Sequence, residues 1–262
     1  MKLLFGVLAT MTLGFGLVLF SGCSKTSPYA ANSLTKSSLA VMKATTTSTA
    51  ANTSISEIPV IGGKLNIQSA WINIANLQIE ENSGNDVEQQ GDHNDGNDNE
   101  SDGGKESNED AADVMAPGPF SLDISSGQAL IGSFDVYPGT FKKVDFIFQS
   151  SANKPFLGNT IFISGDYSAD TGKVTPFVLK SGFSKQIQTQ IAGGGITVAA
   201  NSKVEINVVF DLAGWFGNVD FPTAQINNGQ IQIDVSNNAA LLNTFESNLT
   251  QYVDVEDATG TK

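Results

Sequence analysis

The chain of 262 residues contains no arginine, one histidine and one cysteine, and each shortage excludes a class of function. Its 14 basic residues are all lysines, set against 27 acidic residues, for a net charge of -13. This balance excludes nucleic-acid binding, because basic side chains that neutralise phosphates supply most of that affinity. One cysteine excludes a disulfide framework, and with one histidine it excludes a zinc site of clustered Cys and His ligands.

The first twenty residues are typical of a secretory signal. Lys2 precedes an almost unbroken apolar run from Leu3 to Phe20, and the chain after it is polar and lacks a positive cluster. Ser21-Gly22-Cys23 resembles the lipobox of bacterial lipoproteins, although Phe20 stands where leucine is usual. The resemblance implies a signal peptide at residues 1–22, cleavage before Cys23 and lipidation of Cys23.

Lipidation at Cys23 predicts a membrane-anchored protein of the bacterial cell envelope, because two or more acyl chains give stable anchoring. By the sorting rule of enteric lipoproteins, Ser24 in place of aspartate implies the outer membrane rather than the inner one. An ordinary cleaved signal with an incidental cysteine, or an uncleaved anchor, remains an alternative.

Residues 23–57 are predicted to be a flexible tether, because Ser, Thr, Ala and Asn dominate and no apolar period persists. About 34 residues of flexible coil span roughly 30–35 Å on average. A short helix near Leu34–Ala44 is the alternative interpretation.

Residues 58–255 are predicted to form one all-β domain, an antiparallel β-sandwich of the immunoglobulin or prealbumin type, followed by a tail at residues 256–262. Apolar alternation marks short strands, clearest over Lys203–Leu212. Gly-, Asn- and Ser-rich turns separate them, among them Asp170-Thr171-Gly172 and Asn227-Asn228-Gly229. The alternation slips phase within Leu65–Ile79, which predicts one or two bulges or a bend. A short helix is predicted over Ala239–Tyr252, capped by Asn237 or Asn238.

The acidity of the chain is concentrated in one segment. Residues 80–110 contain 12 acidic residues and one lysine, so the rest of the chain has a net charge of only about -2. This segment has almost nothing apolar to bury, so residues 80–117 are predicted to be a disordered insertion within the sandwich rather than a domain boundary.

The stretch from Pro119 to Leu212 resembles a family of bacterial lipoprotein domains of unknown function. The likeness lies in Phe120-Ser-Leu-Asp-Ile, in Pro138-Gly-Thr-Phe followed by a strand, and in Val204-Glu-Ile-Asn-Val-Val-Phe-Asp-Leu. It covers about half of the chain and implies a prealbumin-like or carbohydrate-binding-like β-sandwich. It implies no chemical activity.

The sequence predicts no catalytic residues. His93 lies inside the acidic segment, where nothing fixes the geometry that a catalytic triad requires. Acidic residues outside that segment fall on polar strand faces or in turns, rather than in the facing pairs that glycan hydrolysis needs; they include Asp123, Asp135, Asp145, Asp166, Asp170, Glu205 and Asp211. The chain is therefore predicted not to be an enzyme, with a glycan hydrolase as the lesser alternative.

Calcium is the one cofactor that the spacing suggests, as weak binding. Asp98, Glu100, Asp102, Gly103 and Glu109 approach the EF-hand spacing, although Glu100 is too long for its position and Lys105 falls where an apolar residue is usual. Loose cation binding by the whole acidic segment is the alternative.

Trp215 and Phe216 are the candidate ligand-binding residues. They lie in an apparent loop after a core strand, where aromatic faces can stack on sugar rings. The sequence thus predicts a non-catalytic binding module, with a glycan or an envelope protein as partner. Two alternatives stay open: an adhesin-like structural partner, and aromatic side chains that simply close the end of the core.

Overall fold

The computed structural model describes residues 38–46, 57–81 and 113–258. Several predictions fall outside these ranges: the signal peptide, the lipidation site Cys23, His93, the disorder of the acidic insertion, and the calcium-like residues Asp98, Glu100, Asp102 and Glu109. The predicted tail begins within a strand, since β15 runs to Asp257.

Two sheets make up the described part of the chain. The smaller sheet has the order β15 (Val253–Asp257), β12 (Lys203–Phe210), β1 (Ser38–Thr46) and β6 (Gln128–Val136). The larger has the order β10 (Gln186–Gln190), β7 (Gly139–Phe148), β3 (Gly63–Glu81), β8 (Ile161–Ala169), β9 (Val174–Ser181), β14 (Gln230–Ile233) and β13 (Ile226–Asn227). Four short strands pair beside this path: β2 (Ile58–Val60), β4 (Val114–Ala116) and β5 (Phe120–Asp123) with β3, and β11 (Ile196–Val198) with β7.

The predicted all-β sandwich is confirmed, but its sheets are mixed rather than purely antiparallel. Strand β1 runs parallel to β12, and β14 runs parallel to β9, while the other strand pairs are antiparallel.

The core lies between the two sheets and is rich in phenylalanine. Phe146 and Phe148 of β7 meet Phe210 of β12, with ring centroids 6.0 and 6.4 Å apart. Most of the buried apolar residues of both sheets belong to one continuous cluster. This burial supplies the cohesion that a chain without disulfides requires.

Strand β1 corrects the prediction that residues 23–57 are a tether throughout. Ser38, Ala40, Met42 and Ala44 are buried at a spacing of two, as in a strand with one face on the core. On the other face, Lys43 forms an ion pair with Glu205 of β12 at 2.7 Å. The alternative of a helix near Leu34–Ala44 is also wrong over the described residues of that stretch.

Strand β3 contains the irregularities that its sequence predicts. Its pairing register shifts between Ile67 and Ser69 against β8, and between Ala75 and Gln78 against β7. Asn76 has a φ of 51°, so the strand bends where the apolar alternation slips phase.

The described strands extend into both ends of the predicted insertion. β3 continues to Glu81, and β4 pairs with it so that Ile79 lies opposite Val114. The predicted insertion at residues 80–117 is therefore too wide at both ends. The segment from 82 to 112 connects two adjacent antiparallel strands, β3 and β4. Adjacent antiparallel strands can also be connected by a turn of only two residues.

Two α-helices complete the described part: α1 (Leu212–Phe216) and α2 (Ala239–Asn248). The predicted C-terminal helix is confirmed as α2, although it ends four residues earlier than expected. Asn238 stands at its N-terminal boundary, but the Asn238 side chain does not cap the helix. It instead bonds the backbone of Gln225 and Gln232, which joins the start of α2 to the residue before β13 and to β14 itself.

Candidate functional site

Trp215 and Phe216 lie in the core, so neither presents a ring face to solvent. Both are fully buried in α1. The Trp215 ring meets Phe148, Phe210 and Phe245 with centroids 5.6–6.4 Å apart, and its Nε1 donates a hydrogen bond to the Tyr252 carbonyl at 3.1 Å. The prediction that these two residues stack on a ligand is wrong, and the alternative that they close the end of the core is correct.

Helix α1 begins just after β12, and backbone hydrogen bonds hold its first turn in place. The Asp211 amide donates to the Tyr252 carbonyl, and the Trp215 amide donates back to the Asp211 carbonyl at 2.9 Å. A Cβ at Gly214 would lie only 2.3 Å from the Tyr252 ring, so glycine is required where the ring covers the helix.

Two of the candidate acidic residues bind partners on neighbouring strands. Within the described ranges, no group of three or more His, Cys, Asp and Glu side chains is arranged to hold a metal ion. Glu205 is ion-paired with Lys43, and Asp166 accepts a hydrogen bond from Gln68.

Asp145 is buried, which corrects the prediction that it lies on a solvated strand face. Its side chain is 6% exposed, its Oδ2 accepts from Gln188 Nε2 at 3.3 Å, and it lies 3.4 Å from Lys143 Nζ. The same ammonium donates to Glu80 at 2.6 Å, and this hydrogen bond, with the two nearby carboxylates, raises the pKa of Lys143 despite partial desolvation. The Lys143 ammonium therefore lies between the carboxylates of Glu80 and Asp145.

A pocket of about 380 Å³ opens at one end of the sandwich. It lies between the β8–β9 turn and the segment that leads from α1 to β13. The lining residues are Gly62, Tyr167, Ala169, Asp170, Thr171, Lys173, Thr175, Phe221, Pro222, Ala224, Ile226 and Ile231. A volume of this size accommodates a small ligand of one or two rings.

Gly62 holds the two sides of the pocket together. Its carbonyl accepts hydrogen bonds from the Tyr167 hydroxyl at 2.7 Å and from the Asp170 amide at 3.0 Å. Its φ is +76°, and a Cβ would lie 2.3 Å from Pro222 Cγ, so a side chain here would push the proline away.

The apolar wall of the pocket is an extension of the core. Tyr167 and Phe221 stack with centroids 5.0 Å apart and planes inclined by 24°. Phe221 also meets Phe177 and Phe216, so core packing fixes the wall. Pro222 follows in a 3-10 helix (Phe221–Thr223), where the Thr223 hydroxyl donates to the Asp220 carbonyl at 2.8 Å.

The opposite wall is polar and carries both signs of charge. Asp170, Thr171 and Lys173 lie on the β8–β9 turn, which the sequence predicts from Asp170-Thr171-Gly172. The Ala169 amide bonds the Lys173 carbonyl at 2.9 Å, which closes the hairpin. Burial, together with the charges of Asp170 and Asp220, raises the pKa of Tyr167, so its phenol stays protonated at neutral pH.

Sequence reasoning found parts of this site but not the site itself. It identified the turn at Asp170–Gly172, but it did not connect that turn with Gly62, Phe221 and Pro222. The contact of Gly62 with Pro222 joins residues 160 positions apart, and no local pattern reveals it.

The described ranges contain no helix that is both long and apolar enough to cross a bilayer. Comparison of the chain with models of protein families, with curated proteins and with solved structures found no match.

Proposed function

We propose that this chain is a lipid-anchored protein of the bacterial cell envelope, and that its β-sandwich is a non-catalytic module which binds a small hydroxyl-rich ligand of the glycan class. The observation that carries the proposal is the pocket at the end of the sandwich, with one apolar wall and one polar wall. Sugars have the matching character, since their rings carry apolar C–H faces and hydroxyl edges.

The lining of the pocket supports binding rather than hydrolysis. Pro222, Ile226 and Ile231 offer an apolar surface, while Thr171, Thr175 and Lys173 offer hydrogen-bonding groups. Asp170 is the one carboxylate among the residues that line it, whereas glycoside hydrolysis ordinarily uses two acids.

The alternative of an adhesin-like assembly partner finds less support. Seven large apolar side chains are exposed in the described ranges, and four of them belong to separate elements: Met115 in β4, Leu130 in β6, Leu157 in the β7–β8 connection and Val235 after β14. The other three, Ile61, Val174 and Ile226, line the proposed ligand pocket or adjoin residues that line it. A protein-binding surface is expected to gather such residues into one patch.

Ile226→Trp is expected to weaken glycan binding about tenfold or more, because the larger ring fills part of the pocket. Ile226 is 45% exposed, so the fold should tolerate the change. A glycan array probed with the full chain in detergent identifies the strongest oligosaccharide, and isothermal titration then compares the two proteins.

Leu130→Trp is the matched control, since Leu130 is 62% exposed on β6 and does not line the pocket. Equal affinity of the wild-type and Ile226→Trp proteins, or an array without any bound glycan, would contradict the proposed ligand class.

The lipid anchor is tested separately. Cells fed an alkyne-bearing fatty acid are expected to label the wild-type protein and to leave Cys23→Ala unlabelled, because the thiol is the first point of acylation. Ser21→Ala, which keeps a small residue before the cysteine, should label normally. Labelling that persists in Cys23→Ala would show that the acyl chains are attached elsewhere.

A further inference from the structure

We infer that the end of the sandwich formed by the turns Tyr137-Pro138 and Ala199–Ser202 faces the membrane, and that the pocket faces away from it. This inference rests on the proposed lipid anchor at Cys23. It follows from where the chain enters the domain, which strand β1 determines.

The smaller sheet shows which end of the domain the tether reaches. Ser38, the first residue of β1, lies opposite Val136 at the end of β6, and its hydroxyl donates to the Ala199 carbonyl at 2.8 Å. Thr46, the last residue of β1, lies opposite Phe210, and the chain beyond Phe210 enters α1. β1 therefore runs from the 137–138 turn toward the end that holds α1.

Helix α1 lies at the same end as the pocket. It packs against β2, and Ile61, which follows β2, forms a β-bridge with Asp220 beside the pocket-lining Phe221. The smaller sheet thus places Ser38 and the pocket at opposite ends of the sandwich.

The larger sheet gives the same result by an independent path. β3 begins at Gly63, which pairs with Ala169 of the pocket lining. It ends at Glu81, whose side chain lies against Gly139, immediately after the 137–138 turn. Gly139 in turn pairs with Val198 of β11, one residue before Ala199. Both sheets therefore separate the pocket from the point where the tether enters.

The length of the tether keeps the entry point close to the lipid surface. Fourteen residues separate Cys23 from Ser38, and as the flexible coil that their composition predicts they would span about 20 Å on average, which is less than the roughly 25 Å covered by the nine residues of β1. A tether that continued to residue 57 would instead join the domain at Ile58 of β2, at the pocket end. The insertion of β1 into the smaller sheet therefore reverses the orientation that the tether alone would impose.

Energy transfer from single labelled cysteines to the bilayer tests this orientation. Pro138→Cys and Thr171→Cys each place a thiol at an exposed position, one at each end of the sandwich. Cys23 is the chain's own cysteine and is acylated under the proposal, so a donor dye reacts only with the introduced thiol. The lipidated full-length proteins are reconstituted into phosphatidylcholine vesicles that contain an acceptor-labelled lipid.

Transfer from position 138 is expected to be about twofold more efficient than transfer from position 171, since the nine residues of β1 alone separate the ends by about 25 Å. A water-soluble acceptor should quench both donors equally. Protein that floats with the vesicles but shows equal transfer, or stronger transfer from position 171, would overturn the orientation alone. Protein that does not float would overturn the lipid anchor, and the orientation with it.

Discussion

Met42→Asp is expected to destabilise the protein by more than about 4 kcal/mol, because it places a carboxylate in the core without a partner. Met42 is 0% exposed, in the middle of a strand that pairs with a neighbour on each side. Charging this position should expel β1, and β6 and β12 would then each lose a partner. Thermal melts followed by far-UV circular dichroism measure the effect.

Lys43→Asp is the matched control, since it adds the same carboxylate one residue later on the opposite face. It replaces an ion pair whose side chains are 31% and 32% exposed by two neighbouring carboxylates, the introduced one and that of Glu205, and should cost about 1 kcal/mol. If residues 38–46 were free tether, neither change would alter the melting temperature. Equal and negligible effects of the two substitutions would therefore refute the place of β1 in the sheet.

Trp215→Ala is expected to lower the free energy of unfolding by about 3–5 kcal/mol, the usual cost of removing a large aromatic side chain from a core. The cavity would lie among Phe148, Phe210 and Phe245, which hold the larger sheet, the smaller sheet and α2 together. The Tyr252 carbonyl would also lose the hydrogen bond from Trp215 Nε1. Urea unfolding followed by circular dichroism gives the free energy directly.

Trp71→Ala provides the comparison for this change. Trp71 is half-buried and its ring meets Phe156 edge-on at 6.3 Å, so its loss should cost clearly less. A cost at Trp215 no greater than that at Trp71 would mean that α1 does not close the core. Because Trp215 is buried, its replacement should affect glycan binding only through the stability of the fold.

Local sequence pattern predicted the elements whose signal is strong and short in range. The period-two alternation of Val204, Ile206 and Val208 marked β12, and the phase slip within Leu65–Ile79 located the bulges of β3. The turns at Asp170–Gly172 and Asn227–Gly229 were evident because glycine there adopts a positive φ that other residues avoid.

The same reasoning failed at β1, for a physical reason. Ala40 and Ala44 carry small side chains, so the buried face of the strand does not appear apolar in the sequence. Its partners lie about 90 and 160 positions further along the chain, so the pairing is non-local. Parallel pairing and burial between two strands make this segment a strand, although its composition is typical of a linker.

Burial of single residues was also decided at the tertiary level. Asp145 alternates with core residues, which predicts exposure, but Lys143 and Gln188 cover its face of the sheet. Trp215 follows a strand in what looks like a loop, yet α1 turns it inward beneath α2. In both cases a neighbour distant in sequence determines the exposure.

The sequence by itself determined the all-β class, the main turns, the short C-terminal helix and the concentration of negative charge in one segment, because each depends on composition or on contacts between near neighbours. The tertiary structure decided the place of β1, the closing of the core by Trp215 and the assembly of the pocket around Gly62 and Pro222. Those features depend on backbone pairing and close packing between distant segments, which alternation along the chain does not encode.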